Sequence, residues 1–318
     1  LSIPGYRAPR WLAGAHAQTI WPRFNSGPLP SYRRERWNTP DGDFIDLDWI
    51  DGPPGAPLLV LFHGLEGSSR SHYARAILRA VRARQWSGVV PHFRGCSGEP
   101  NLLPRAYHSG DSDEIDWVLR RLHALHPPRA LYAAGISLGG NALAKWAGER
   151  GEDAGRLVRG IAAVCAPLDL AVAGRALERG FNRVYTEYFL RTLRPGALAK
   201  LARFPGIADR ERILRARTLY EFDDAVTAPL HGFRGADDYW QRASSKPHLH
   251  GIRVPALLLN AHNDPFLPGE TLPGARETSA HVIREYPQHG GHVGFVSGSF
   301  PGHIDWLPAR LIAFFDAL

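Results

Sequence analysis

Three residues far apart in the chain have the types and settings needed to activate a hydroxyl group. Ser137 lies in Gly135-Ile-Ser-Leu-Gly139, after an apolar run and before a stretch in which Ala142, Leu143, Trp146 and Ala147 recur at helical spacing. A strand that turns sharply into a helix leaves little room for Cβ atoms, and such a turn holds a serine hydroxyl clear of both elements. A hydroxyl is a poor nucleophile at neutral pH, so it needs a base within hydrogen-bond reach and an acid that orients the base. Asp264 follows the apolar run Val254 to Ala261, and His292 sits in the glycine-rich stretch Gln288 to Phe295. Ser137 as nucleophile, His292 as base and Asp264 as the acid that orients it, in the chain order Ser137, Asp264, His292, would together attack a carbonyl carbon. The resulting oxyanion needs two backbone N–H donors. These are expected from Leu138, directly after the serine, and from Leu65 in His63-Gly64-Leu65, where Gly64 permits close approach. His289 is the rival base, although it lies closer to the preceding strand, and Asp169, just past the apolar run Leu157 to Ala166, is the rival acid.

Residues so dispersed need a scaffold that delivers loops to one edge. Residues 1 to 30 read as an irregular arm with a short helix near His16 to Ile20, and Tyr32 to Asn38 with Phe44 to Ile50 as an antiparallel hairpin. In the second strand Phe44, Asp46 and Asp48 alternate with Ile45, Leu47 and Trp49, the pattern of a half-exposed strand. Continuous apolar runs follow at Pro57 to Phe62, Gly88 to Phe93, Leu157 to Ala166, Val254 to Ala261 and Val282 to Tyr286. Helical spacing separates several of them, as in Tyr73, Ala76, Ile77, Ala80 and Val81, and a last helix ends within Leu311 to Leu318. Repeated strand–helix alternation predicts an α/β fold with a mostly parallel sheet covered on both faces.

Leu168 to Leu249 is far too long for a crossover between two strands, so it is expected to be a helical cap inserted into the core. The organisation is then 1–167 as the first part of the core with its arm, 168–249 as the cap, and 250–318 as the second part of the core. Phe181, Tyr185, Tyr188 and Phe189 stand at i, i+4, i+7 and i+8, one helical face that could line an acyl pocket or pack in the cap's own core.

Composition narrows the function. With 318 residues, 44% of them hydrophobic, the chain can bury a large core. No apolar run approaches the ~18 residues of a membrane span, and the first residues lack the apolar centre of a secretory signal, so a cytoplasmic protein without stable membrane insertion is expected. The formal charge of +7 comes from arginines spread along the chain, which argues against a nucleic-acid partner. Two cysteines and scattered histidines carry no metal-ligand spacing, so neither a metal nor a cofactor is expected.

Six ordered motifs resemble those of the YheT-like branch of the α/β-hydrolase superfamily: His63 to Ser69, Phe93 to Asn101, Tyr107 to Gly110, Gly135 to Asn141, Asn260 to Phe266 and Gly290 to Phe295. The likeness extends to Ala166-Pro-Leu168 and Thr227 to Gly232 at the borders of the insertion. The resemblance implies an eight-stranded sheet, a triad at Ser137, Asp264 and His292, and hydrolysis of carboxylic esters, either short-to-medium acyl esters or acyl lipids. Acyl transfer and thioester hydrolysis use the same machinery, and a non-catalytic ligand-binding protein could share the fold.

Overall fold

A computed structural model describes residues 3–127 and 129–318. Its strands are β1 (Arg33–Asn38), β2 (Phe44–Ile50), β3 (Leu58–Phe62), β4 (Ser87–Pro91), β5 (Leu131–Ile136), β6 (Gly160–Val164), β7 (Ala256–Leu259) and β8 (Val282–Glu285). They form one sheet in the order β1-β2-β4-β3-β5-β6-β7-β8. β2 runs antiparallel to β1 and β4, and every other pairing is parallel. This is the mostly parallel eight-stranded sheet expected.

The helices are α1 (Ala15–Ile20), α2 (His72–Ala83), α3 (Ser112–Leu125), α4 (Leu138–Arg150) and α5 (Glu152–Leu157), followed between β6 and β7 by six more. Those six are α6 (Leu170–Leu177), α7 (Arg183–Arg203), α8 (Arg210–Arg215), α9 (Leu219–Phe222), α10 (Ala228–Leu230) and α11 (Ala236–Ala243). A π-helical turn, Asp223–Thr227, joins α9 to α10, and α12 (Trp306–Asp316) closes the chain. No helix among the described residues is long and apolar enough to cross a membrane.

Strand periodicity explains the two cores. Leu58, Val60 and Phe62 of β3 point to one face, where α3 (Ile115, Leu119, Leu122) and α4 (Leu143, Trp146) cover them. Leu59 and Leu61 point to the other, under α2 (Ile77, Leu78, Val81) and α12 (Leu307, Leu311, Phe315). All five β3 residues are buried, which is why the strand reads as an unbroken apolar run. Truncating one of these leucines to alanine would cost about 2–5 kcal/mol, since the helices on either side cannot fully collapse into the gap.

Two readings of local structure are corrected. β2 is buried along its whole length and is not half exposed. Asp46 and Asp48 face cross-strand partners in β1, where Arg36 and Arg34 grip them with paired hydrogen bonds of 2.7 and 2.9 Å. Ser97 and Ser69 complete the two carboxylates. The run Leu157 to Ala166 begins as the end of helix α5 and becomes a strand only at Gly160, because acidic Glu152 and Asp153 open a helical turn first.

Candidate active site

The turn between β5 and α4 puts Ser137 at φ 53° and ψ −119°, a backbone conformation that side-chain-bearing residues rarely hold. Its neighbours impose it. The Ser137 N–H donates to Val164 O of β6 at 2.8 Å. A Cβ at Gly139 would stand 2.5 Å from the carbonyl oxygen of His63, so only glycine lets α4 begin this close to the end of β3. Buried Asn141 then fastens the helix, donating to Ser109 O and Ala243 O and accepting from the Ser245 N–H.

His292 lies in a loop held from several sides. The His292 N–H donates to Thr19 Oγ1 of α1 at 2.9 Å, and the Val293 N–H donates to Cys165 Sγ at 3.3 Å. His72 Nε2 meets Val293 O at 3.1 Å, and Gln18 Oε1 accepts from the Val296 N–H. Helix α1 is wedged against this loop so closely that a Cβ at Gly294 would meet Gln18 O at 2.2 Å.

The three side chains meet at the carboxyl edge of the sheet. His292 Nε2 is 3.0 Å from Ser137 Oγ, and His292 Nδ1 is 2.8 Å from Asp264 Oδ2. Asp264 is buried, and its Oδ1 accepts from the Phe266 N–H at 2.8 Å. The Phe266 ring stacks on the imidazole at 4.0 Å. With a carboxylate at Nδ1, the imidazole carries its proton there and turns the lone pair of Nε2 to the serine hydroxyl.

Neither the Leu65 nor the Leu138 amide donates to an acceptor among the described residues, and both residues line the same cavity as Ser137 and His292. Two free N–H groups beside a nucleophile can receive a developing oxyanion. Buried His63 braces that loop: its Nδ1–H donates to Gly64 O, and its Nε2 accepts from the Phe93 N–H. Burial lowers its pKa to about 3, so the ring is neutral.

The rivals have other work. His289 is exposed, with Nδ1 3.4 Å from the Asn263 amide nitrogen. Asp169 caps α6 by accepting from the Val172 N–H. Cys165, Asp264 and His292 have ligand atoms within 4.8 Å of one another, but burial, and then the Asp264 charge, push the thiol pKa well up, and a protonated thiol is a poor metal ligand.

A cavity of about 350 Å³ opens beside Ser137 and His292. Phe189 lines it, but Phe181, Tyr185 and Tyr188 do not. Helix α7 begins only at Arg183, so Phe181 sits in a preceding turn, where its ring packs on His16. Tyr185 bonds through its hydroxyl to His16 Nδ1 and packs on the ring of Phe266. Tyr188 is exposed beneath Arg23. Gly64 is likewise outside the cavity wall. It lies under Ser137, where a Cβ would stand 3.2 Å from the serine Cβ, and its N–H donates to the Tyr73 hydroxyl. Leu170, Leu177, Leu193, Phe222 and Val226 form the apolar wall instead. Sequence reasoning also missed Thr19, Cys165 and Phe266, which position the histidine; only a long-range contact reveals the first two, whereas Phe266 ends one of the six motifs.

A sheet of this order with a strained serine between β5 and α4 defines the class. Residues 57–299 match the family model described as alpha/beta hydrolase fold, and the chain belongs to that family, in its YheT-like branch. It is 40% identical over 310 residues to the Escherichia coli (strain K12) protein named "Putative esterase YheT", covering 95% of this chain and 90% of that one. Mouse (Mus musculus) phospholipase ABHD3 is 29% identical over 319 residues, covering 97% of this chain and 77% of that protein. Among solved structures, the Pyrococcus furiosus esterase Pf2001 superposes with a TM-score of 0.58 at 15% identity, covering 90% and 92% of the two chains, a likeness of fold.

Proposed function

We propose that this carboxylic ester hydrolase works through Ser137, His292 and Asp264. The observation that carries the reading is the unbroken hydrogen-bond chain from Ser137 Oγ through the imidazole to a buried carboxylate, at the mouth of an apolar cavity. Ser137 Oγ attacks the ester carbonyl carbon while His292 Nε2 takes its proton, and Asp264 stabilises the imidazolium. The Leu65 and Leu138 amides receive the oxyanion. His292 then gives its proton to the departing alkoxide, and water activated by the same nitrogen releases the acid from the acyl-enzyme.

In this reading residues 168–249 are a cap on a core made of 1–167 and 250–318, and the cavity beneath it takes the apolar part of an uncharged ester. Leu170, Leu177, Leu193, Phe222 and Val226 support that choice, as do relatives named phospholipase and monoacylglycerol lipase. Each buried methylene is worth about 0.8 kcal/mol, so kcat/KM should rise several-fold per two-carbon step until the cavity is full. The decisive test is fluorophosphonate labelling together with turnover of p-nitrophenyl esters from two to twelve carbons. The native protein should label and prefer medium chains over acetate, and Ser137→Ala should do neither. Equal labelling of both proteins would move the nucleophile elsewhere.

A further inference from the structure

The cavity has one feature that an apolar chain does not explain. Asp223, in the π-helical turn, lines it. Its carboxylate accepts one neutral donor on each oxygen, Thr227 Oγ1 at 2.6 Å and Trp240 Nε1 at 2.8 Å. Among the described residues no lysine, arginine or histidine nitrogen lies within ion-pair distance of it. Asp223 is half-buried at the cavity, and the more deeply buried carboxylates elsewhere are treated differently. Asp46 and Asp48 are each gripped by arginine, Glu114 is held by Arg94, Asp111 by Arg105, and Asp264 by His292. Burial raises the Asp223 pKa to about 6, against the two hydrogen bonds that oppose it. The chain thus holds a carboxylate at a desolvation cost that its own residues do not offset, facing the space where a ligand would lie.

The same wall presents a donor. His108 lines the cavity, and its Nδ1 accepts from the Gly110 N–H, which leaves the ring proton on Nε2 without an acceptor among the described residues. His108 packs against His231 and Tyr239, and His231 Nδ1 meets Thr227 O at 2.8 Å, so the two polar groups belong to one connected surface. Glu66, Arg94, Lys200 and Arg203 line the cavity as well; Arg94 is paired with Asp41 and Glu114, whereas Lys200 and Arg203 have no carboxylate partner among the described residues and disfavour a cationic ligand. A neutral group that both donates and accepts suits these surroundings.

We propose that Asp223 is a specificity residue that accepts a hydrogen bond from a hydroxyl group on the substrate, so that the cavity selects hydroxylated esters over their unsubstituted counterparts. The hydroxyl can be carried by the acyl chain or by the alcohol. This rests on the ester-hydrolase reading of the cavity, yet binding tests it separately from turnover.

Ser137→Ala protein is titrated calorimetrically with two sets of pairs: methyl alkanoates of six to twelve carbons against their ω-hydroxy forms, and alkyl hexanoates against the corresponding ω-hydroxyalkyl hexanoates. A hydrogen bond to a charged acceptor predicts roughly tenfold or tighter binding of the hydroxylated member in one set, and that set identifies which part carries the hydroxyl. The native enzyme should show the same preference in kcat/KM. Adding Asp223→Leu should reverse it, raising affinity for the plain chain and lowering it for the hydroxylated one, and Asp223→Asn should give an intermediate ratio. Thermal unfolding checks that both variants fold, and the Asn variant decides if the Leu variant does not. Equal affinities within both sets, or a preference that survives in the substituted protein, would overturn the proposal. Turnover without discrimination removes this inference and leaves the Ser137 reading standing; discrimination in binding without turnover does the reverse.

Discussion

Replacing Asp264 by asparagine keeps the shape of the site and changes which way protons point. The native carboxylate accepts twice, from His292 Nδ1–H at Oδ2 and from the Phe266 N–H at Oδ1. An amide has only one oxygen. If that oxygen stays on the Phe266 N–H, the NH₂ faces Nδ1, the ring proton moves to Nε2, and Nε2 can no longer take the proton of Ser137. If the amide flips, the imidazole keeps its tautomer, but a buried N–H at Phe266 then faces a second donor. That arrangement costs about 1–3 kcal/mol, so the productive tautomer is depleted by a factor of about 5 to 150. The neutral amide also fails to stabilise the imidazolium, a buried electrostatic loss that carries the expected fall in kcat to roughly 10³–10⁴-fold. The assay is kcat for a p-nitrophenyl ester, with near-ultraviolet circular dichroism and thermal unfolding to show an intact fold. A folded Asp264→Asn protein within tenfold of native activity would refute the reasoning.

Three further outcomes test the supports around the site. Thr19→Val removes the acceptor of the His292 N–H and should cut kcat about five- to tenfold, whereas Thr19→Ser should restore it, because the hydroxyl and not the fold of α1 is at issue. Asp169→Ala removes the cap of α6 and should lower stability by about 1 kcal/mol, seen as a drop of roughly 2 °C in Tm, while kcat stays within twofold. Burial raises the pKa of Asp46, but hydrogen bonds from Arg36 and Ser97 outweigh it and hold the carboxyl below its ordinary value. A lowered folded-state pKa contributes stability that is present above the unfolded value near 4 and is lost as pH falls through the folded value. Arg36→Met should therefore shift the acid-unfolding midpoint to higher pH in a circular-dichroism titration.

What could be read from residues alone follows from where the physics is local. β3 announced itself because a parallel strand buried on both faces admits no polar position. The turn at Ser137 was legible because steric exclusion at Gly139 demands one residue type at a fixed spacing. β2 misled because alternating aspartates look the same whether water or arginine faces them. The correcting signal was present in the partner strand, where Arg34 and Arg36 repeat with the same period as Asp48 and Asp46. Periodicity failed differently at Phe181, Tyr185 and Tyr188. It reports a shared helical face, but not where the helix starts or what the face meets, and here His16 of α1, the ring of Phe266 and Arg23 take the contacts.

The histidine loop shows why some of the site had no local signature at all. Thr19 and His292 are separated by most of the chain, and nothing about a threonine inside a six-residue helix marks it as an acceptor for a distant amide. Gly291 and Gly294 are the traces left in the sequence, since a Cβ at either would collide with α1, at Ala15 O or at Gln18 O, and drive it off the loop. Helix α1 buries little apolar surface of its own; Gln18 is its one buried residue, and both ends of that amide are spent on the backbone at Leu12 and Val296. A helix this short is not stable alone. It persists because it satisfies the backbone of the loop that carries His292, so the contacts of α1 fix the position of that imidazole.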